Sequence, residues 1–217
     1  MRNPRAYLRS HPECLRLYAV TDSSWLDGRT LRECVEGAVE GGAGFVQLRE
    51  KHADAETLVS LAREIRDACG GKAVFVVNDS VEAAVLAQAD GVHVGQGDMA
   101  CSSARALVGP DKIVGVSVQT VAQAKDAVAQ GADYLGVGAM FKTATKPEAA
   151  EVSVDELAAI CAAVDVPVVG IGGLNTRTIG ELAGTGVDGA AVVSAIFAAT
   201  DTCAAARELK EVIDGVL

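Results

Sequence analysis

Five consecutive residues, Gln47-Leu48-Arg49-Glu50-Lys51, have side chains and a spacing suited to binding an anion. They close the apolar run 44–46, so the segment is predicted to end a β-strand. Because side chains alternate between the two faces of a strand, Gln47, Arg49 and Lys51 lie on one face and the apolar residues on the other. The pattern predicts an anion-binding strand end, although an edge strand with solvated charges would show the same alternation.

Two aspartates are the candidates for a metal site. Asp79 and Asp98 each follow a predicted strand, and their neighbours in sequence are small or polar. Magnesium typically takes one or two protein carboxylates, several waters and phosphate oxygens of a substrate. The pair therefore predicts a Mg²⁺ site. The alternative is that one or both only cap the following helix, as Asp79 would before a helix at 80–88.

Two further strand ends suggest a phosphate site. The glycines of segment 170–175 (GIGGLN) would let backbone N–H groups approach an anion closely, and Val193-Ser194 opens a helical stretch. The long segment 141–148 (FKTATKPE) is rich in hydroxyls and cations, as expected of a lid that closes over a phosphate or of a disordered loop.

These segments follow a regular alternation of strands and helices. Apolar, β-branched runs predict strands at 15–20, 44–48, 73–77, 90–94, 113–118, 133–138, 166–171 and 188–193, with helices between them at about 30–41, 54–69, 80–88, 100–108, 120–130, 153–163, 175–184 and 203–214. Eight strand–helix units predict an α/β fold, a single (β/α)₈ TIM barrel over residues 15–217. An open doubly wound sheet is the alternative, but segment 21–24 is not its usual glycine-rich loop. Residues 1–14 are expected to form a loosely attached N-terminal extension.

The polar residues collect where strands end, at the face on which barrel enzymes build their sites. Gly115, Gly136 and Gly170 are expected to point inward and to leave room for a flat ring at the barrel mouth. His93 would share that interior, either as a ligand contact or as a histidine satisfied by its neighbours.

The composition narrows the class of partner. The 217 residues carry a net charge of −10, from 19 basic and 29 acidic residues, which argues against a nucleic-acid surface. No apolar run approaches the roughly 18–20 residues that span a bilayer. The six scattered cysteines, without a C-x-x-C pair, indicate a reduced, cytoplasmic protein. We expect small-molecule substrates and no nucleic-acid or membrane partner; whether the chain forms a homo-oligomer is open.

Taken together, the motifs resemble those of the thiamine phosphate synthase family. The resemblance runs in order from about residue 15 to the C-terminus and rests on LYAVTD at 17–22, QLREK at 47–51, Asn78-Asp79, GVHVGQGD at 91–98, GVS at 115–117, TATK at 143–146, Gly172-Gly173 and Val193-Ser194. One departure is Gln119, where many relatives have a histidine; we expect it to adjust contacts near the diphosphate.

The resemblance implies a Mg²⁺-dependent barrel enzyme that joins a hydroxymethylpyrimidine diphosphate to a thiazole phosphate and releases pyrophosphate. It implies a pyrimidine diphosphate site formed by Gln47, Leu48, Arg49, Glu50, Lys51, Asn78, Ser117 and Lys146. It implies magnesium ligands at Asp79 and Asp98, and a thiazole phosphate site at Thr143, Ala144, Thr145, Gly173, Val193 and Ser194.

Within this set, Arg49, Lys51, Ser117 and Lys146 are the predicted catalytic residues, because they can neutralise a departing diphosphate. No nucleophile–base set is evident in the sequence. Three alternatives remain: a thiazole tautomerase relative, a sugar-phosphate isomerase or epimerase, and a non-catalytic barrel that binds thiamine precursors.

Overall fold

The strands close into a parallel barrel. A computed structural model describes residues 3–142 and 150–217, and its strands pair in chain order around a closed ring. They are β1 (Leu17–Val20), β2 (Phe45–Leu48), β3 (Val74–Asn78), β4 (Gly91–Val94), β5 (Ile113–Val118), β6 (Tyr134–Val137), β7 (Val168–Ile171) and β8 (Gly189–Val192). The predicted (β/α)₈ barrel is confirmed, and the open-sheet alternative is wrong because β8 pairs with β1.

Helices surround the barrel, with their apolar sides on the outer faces of the strands. They are α2 (Leu31–Glu40), α3 (Ala55–Cys69), α4 (Val81–Leu86), α5 (Cys101–Val108), α6 (Val121–Ala129), α7 (Val154–Ala163), α8 (Ser194–Phe197) and α9 (Thr202–Val216). A further helix, α1 (Pro4–Ser10), packs instead against the interior of the barrel. No helix in the two described ranges is both long and apolar enough to cross a membrane.

The helix predicted at 175–184 is wrong. The segment forms only a 3₁₀ turn, Ile179–Leu182. Its glycines explain the difference, because Gly184 adopts a φ of +76°, which is incompatible with a continuing helix, and Gly180 lowers the local helix propensity.

Side-chain caps fix where the helices begin. The N-cap side chain accepts a hydrogen bond from a backbone N–H of the first turn in seven of the described helices, at Asn3, Thr30, Asp54, Ser80, Thr120, Ser153 and Asp201. These caps satisfy N–H groups that a helix leaves unpaired at its start. The loops after the strands are thereby held between a fixed strand end and a fixed helix start.

The N-terminal segment closes the bottom of the barrel. Leu8 of α1 and Leu15 are 1% and 0% exposed, and they pack with inward-facing aromatic residues of the barrel. Arg5 Nε donates to the buried Asp133 carboxylate at 2.6 Å. The expectation of a loosely attached extension is therefore wrong for residues 3–14, because burial and a charged hydrogen bond attach them to the barrel.

The interior glycines make room for protein side chains. A Cβ on Gly115 would collide with the Tyr134 ring, and one on Gly136 would lie 3.3 Å from Cε1 of His93. Gly170 instead faces outward, where a Cβ would lie 3.2 Å from Leu182. The predicted inward position of Gly170 is wrong because the neighbouring residue, Val169, carries the inward parity of β7.

Candidate active site

The mouth of the barrel, at the carboxyl ends of the strands, contains a cavity of about 650 Å³. Most of the predicted site residues line it: Gln47, Arg49, Lys51, Asn78, Asp79, Asp98, Ser117, Gly173, Val193 and Ser194. Leu48 and Glu50 are not among the lining residues. Thr143, Ala144, Thr145 and Lys146 lie outside the described residues.

The end of β2 presents its cations to the cavity. Gln47 points into the barrel and is 4% exposed, whereas Leu48 is fully buried on the opposite side, among residues that pack under the helices. Arg49 is turned toward Asp22, with Nη1 3.9 Å from the carboxylate oxygen. The alternation predicted for the strand holds for Gln47 and Leu48, the last two residues of β2. Arg49 and Lys51 lie in the loop that follows and also line the cavity, so one amide and two cations stand on the inner wall.

Thr21 fixes the backbone beneath these cations. The Arg49 N–H donates to Thr21 Oγ1 at 3.0 Å, and the Thr21 hydroxyl lies 3.3 Å from a Glu50 carboxylate oxygen, to which it donates. Glu50 thus holds the loop after β2 rather than lining the cavity. This contact explains why an acidic residue stands between two cations that face an anion site.

Asp79 and Asp98 lie side by side on the cavity wall, close enough for their carboxyl groups to interact. Burial and the Asp98 carboxyl raise the pKa of Asp79 to about 6, while Lys51 and Arg49 oppose the rise. Asp98 also accepts a hydrogen bond from Gly95 N–H at 2.7 Å. Two carboxylates that repel each other form a site suited to a divalent cation.

The capping alternative for Asp79 is wrong. The N-cap of α4 is Ser80, whose side chain accepts from the Ala83 N–H. Asp79 instead adopts a left-handed backbone conformation, with φ of 62°, which aspartate tolerates better than most residues. Its side chain is therefore available to the cavity.

These two carboxylates fit magnesium in number. In the described residues no group of three or more histidine, cysteine or acidic side chains could hold a metal. Mg²⁺ commonly uses only one or two protein carboxylates and completes its shell with water and phosphate oxygens. Asp79 and Asp98 could therefore hold a Mg²⁺ ion whose remaining ligands are water or phosphate oxygens.

A glycine pair shapes the opposite wall. Gly172 and Gly173 have φ values of 102° and 65°, a region that L side chains rarely adopt. The Gly173 carbonyl accepts from Thr178 Oγ1 at 3.0 Å and from Asn175 Nδ2 at 3.1 Å. Ser194, which lines the same cavity, is the first residue of α8.

A chain of hydrogen bonds crosses the barrel along the inner wall of the cavity, and all of its residues except Tyr134 line the cavity. It connects Gln47, Tyr18, Tyr134, His93 and Ser117, with heavy-atom distances of 2.5 to 2.9 Å. The two tyrosines were missed by sequence reasoning. The signal available was their inward parity in β1 and β6, but partners 116 residues apart leave no local pattern.

Both ring nitrogens of His93 have hydrogen-bond partners inside the barrel, and the side chain also lines the cavity, so it can be satisfied by its neighbours and still contact a ligand. Its Nδ1 lies 2.9 Å from the Tyr134 hydroxyl and its Nε2 2.8 Å from Ser117 Oγ. Burial lowers the pKa of His93 to about 4, with a weaker opposing effect from Asp98. The contact with Ser117 is also a serine–histidine pair that the sequence did not reveal.

Gln119 joins two parts of the mouth. Its Nε2 donates to the carbonyls of Gly138, at 3.1 Å, and Ala150, at 3.2 Å. The amide therefore ties the end of β6 to the start of the second described range. A neutral histidine has only one ring N–H to donate, so glutamine can serve two carbonyls where histidine could serve one.

Comparison with known proteins agrees with this architecture. The thiamine monophosphate synthase family model matches residues 17–196. A thiamine-phosphate synthase of Chloroflexus aurantiacus is 47% identical over 91% of this chain and 92% of its own length. One of Moorella thermoacetica is 45% identical over 91% and 95%. A solved structure, the thiamine phosphate pyrophosphorylase of Pyrococcus furiosus, has a TM-score of 0.86 and 36% identity over 94% of this chain and 98% of its own.

The fold and the polar mouth define a barrel enzyme of the transferase class, one that forms a C–N bond. The chain belongs to the thiamine monophosphate synthase family.

Proposed function

We propose that the protein is a Mg²⁺-dependent thiamine phosphate synthase. It would condense 4-amino-2-methyl-5-(diphosphooxymethyl)pyrimidine with 4-methyl-5-(2-phosphooxyethyl)thiazole, or the carboxylated form of that thiazole, to give thiamine phosphate and pyrophosphate. The observation that carries the proposal is the meeting of two cations, two carboxylates and a serine hydroxyl on one cavity wall, in a chain of this family.

The residues divide between the two substrates. Gln47, Arg49, Lys51, Asn78 and Ser117 line the side of the cavity that also holds the aspartates, which supports their assignment to the pyrimidine diphosphate. Gly173, Val193 and Ser194 line the other side and are assigned to the thiazole phosphate. Lys146 is assigned to the diphosphate, and Thr143, Ala144 and Thr145 to the thiazole phosphate, by family resemblance alone.

The chemistry is the departure of a diphosphate followed by capture of a cation. Diphosphate leaves readily only when its developing negative charge is neutralised, and Arg49, Lys51 and the Ser117 hydroxyl can supply positive charge and a donor. Asp79 and Asp98 would hold Mg²⁺, which when bound adds further neutralisation of the same oxygens. The bond from the pyrimidine methylene carbon to the diphosphate oxygen breaks, and the thiazole nitrogen then bonds to that carbon.

An electron-rich aminopyrimidine can stabilise the methylene cation, so this route requires no covalent enzyme intermediate. The Ser117–His93 pair is the alternative, a nucleophile with its base. A pKa lowered to about 4 by burial makes His93 a weak base, and its other nitrogen meets a tyrosine hydroxyl rather than a carboxylate. Both facts favour the dissociative route.

The direct test is incubation of the purified protein with both substrates, with Mg²⁺ or with a chelator. We expect thiamine phosphate and pyrophosphate in equal amounts, and neither product when Mg²⁺ or one substrate is omitted. K51A should lose about 100-fold or more in rate, whereas K125A, which removes an exposed lysine on α6, should match the wild type. Binding of both substrates without turnover would identify a non-catalytic binder.

The order of bond breaking has its own test. Replacing the pyrimidine methyl group by trifluoromethyl withdraws electrons from the cation and should slow the reaction by several orders of magnitude, each tenfold being about 1.4 kcal/mol of barrier. Ground-state binding should change far less, because the cation exists only near the transition state. A rate within a few-fold of the natural substrate, with chemistry rate-limiting, would refute dissociation.

A further inference from the structure

In the hydrogen bonds that connect Gln47 to Ser117, the donor and the acceptor of each bond can be assigned. Gln47 Nε2 lies 2.5 Å from the Tyr18 hydroxyl, and an amide nitrogen can only donate. The Tyr18 oxygen therefore accepts from Gln47. Either tyrosine could donate in the 2.8 Å contact between Tyr18 and Tyr134, but within the described residues the Tyr134 oxygen is the acceptor in reach of the Tyr18 hydrogen, so we assign Tyr18 as the donor.

The same donor-to-acceptor order continues through the remaining hydrogen bonds as far as the cavity. With Tyr18 as donor, Tyr134 accepts and turns its hydrogen to Nδ1 of His93, at 2.9 Å. That nitrogen is then unprotonated, so in the neutral ring the proton sits on Nε2, which donates to Ser117 Oγ at 2.8 Å. The Ser117 oxygen is thereby occupied as an acceptor, and its hydrogen is directed to another group.

We propose that His93 is a positioning residue, which holds the Ser117 hydroxyl as a hydrogen-bond donor toward the cavity and the departing diphosphate. The inference about the leaving group rests on the proposed function. The assigned direction is opposite to that of a serine nucleophile, whose hydroxyl would donate to Nε2 of an activating histidine.

Burial and small neighbouring residues hold these hydrogen-bonded side chains in place. Tyr18 and Tyr134 are 1% and 0% exposed and His93 is 6% exposed, so water does not compete for most of their polar atoms. Gly115 leaves the space that the Tyr134 ring fills, and Gly136 lies against His93. A low-dielectric setting strengthens each bond and penalises the reversed orientation of any single hydroxyl.

The tautomer of His93 is the first readout, and it requires no activity. ¹⁵N spectra of the ligand-free protein, assigned by comparison with H93Q, should show neutral His93 protonated at Nε2 and not at Nδ1 near neutral pH. Protonation at Nδ1 would overturn the proposal, because Ser117 would then be the donor to His93. This result holds whether or not the protein makes thiamine phosphate, so it separates failure of the inference from failure of the proposed function.

The second readout is kinetic and uses Tyr134→Phe. Tyr134 does not line the cavity, and phenylalanine keeps the ring against Gly115, so any effect on the reaction must travel through its two hydrogen-bond partners, Tyr18 or His93. We expect a loss of about tenfold in kcat, larger than the change in KM, because the donor matters most when charge develops on the leaving group.

A double-mutant cycle with Ser117→Ala shows whether the effect passes through the hydroxyl. In the S117A background the Tyr134→Phe change should cost no further activity, because the hydroxyl it orients is already gone. Independent, multiplying losses would overturn the proposal. At position 93, H93Q retains an N–H that can reach Ser117 and should be more active than H93L; equal activities would also contradict the positioning role.

Discussion

Protonation of His93 should couple the stability of the barrel to pH. Burial lowers its pKa from 6.5 to about 4, so the folded protein resists a proton that the unfolded chain accepts. Above the pKa of His93 in the unfolded chain, His93 is neutral in both the folded and the unfolded state, and its full contribution to the free energy of unfolding is present. As the pH falls through the window between 6.5 and about 4, the unfolded state binds the proton first, and the free energy of unfolding decreases.

The magnitude follows from the shift. Linkage predicts a decrease of about 2 kcal/mol between pH 7 and pH 5, and about 3 kcal/mol by pH 4. With a urea m-value of about 2 kcal/mol/M, the midpoint should fall by about 1 M between pH 7 and pH 5 because of this residue alone. Measurement at pH 5 avoids most of the titration of exposed carboxylates.

The assay compares urea midpoints of the wild type and His93→Gln at the two pH values. The variant should be less stable at pH 7, since it loses a buried partner of Tyr134, but its midpoint should change with pH by about 1 M less than that of the wild type. His52→Gln, which removes an exposed histidine, is the matched control. The reasoning is refuted if H93Q and the wild type show the same change of midpoint with pH.

Three further predictions concern the metal site, the interior glycines and the N-terminal segment. Asp98→Asn should keep the fold and lose about 10- to 100-fold in apparent Mg²⁺ affinity, measured as activity against Mg²⁺ concentration; full activity at limiting Mg²⁺ would exclude Asp98 as a ligand. Gly115→Ala should lower the free energy of unfolding by about 1–3 kcal/mol through overpacking against Tyr134, whereas Gly215→Ala, in open space on α9, should raise it by about 0.5–1 kcal/mol; similar melting temperatures would contradict the packing argument. Arg5→Ala should lower the free energy of unfolding by about 2 kcal/mol, because it removes a charged hydrogen bond to buried Asp133. Arg9→Ala, which removes an exposed side chain on the same helix, should lower it little. Equal urea midpoints for the two variants would show that α1 does not stabilise the barrel through Arg5.

The fold was predictable because its strands and turns carry local signals. Each strand is an apolar, β-branched run, and acidic residues recur before alternate strands. The structure gives the reason for the recurrence: Asp90, Asp133 and Asp188 each accept a backbone N–H from the preceding strand, at Phe75, Val114 and Val168. The N-terminal segment carried no such signal, because Leu8 and Arg5 find their partners only after the barrel has closed.

The candidate site was predictable to the extent that its residues follow strand ends. Gln47, Arg49 and Lys51 could be grouped from their two-residue spacing, although β2 ends at Leu48 and the two cations stand in the loop after it. The Tyr18–Tyr134 contact and the role of Glu50 could not be predicted, because each depends on a contact between residues that are far apart in the sequence. Ser117 was recognised, but its histidine partner could not be distinguished from any other interior histidine until the register of β4 and β5 was known.

The closed floor of the barrel makes the cavity a dead end. Leu8 and Leu15 lie buried against the interior aromatic residues, so within the described residues a ligand enters and leaves by the mouth alone. Two ligands that share such a cavity bind in a fixed order, in which the deeper ligand binds first and dissociates last. The order of binding then follows from how deep each ligand lies in the cavity and not from the relative affinities. An excess of the ligand that binds nearer the mouth would block entry of the other ligand.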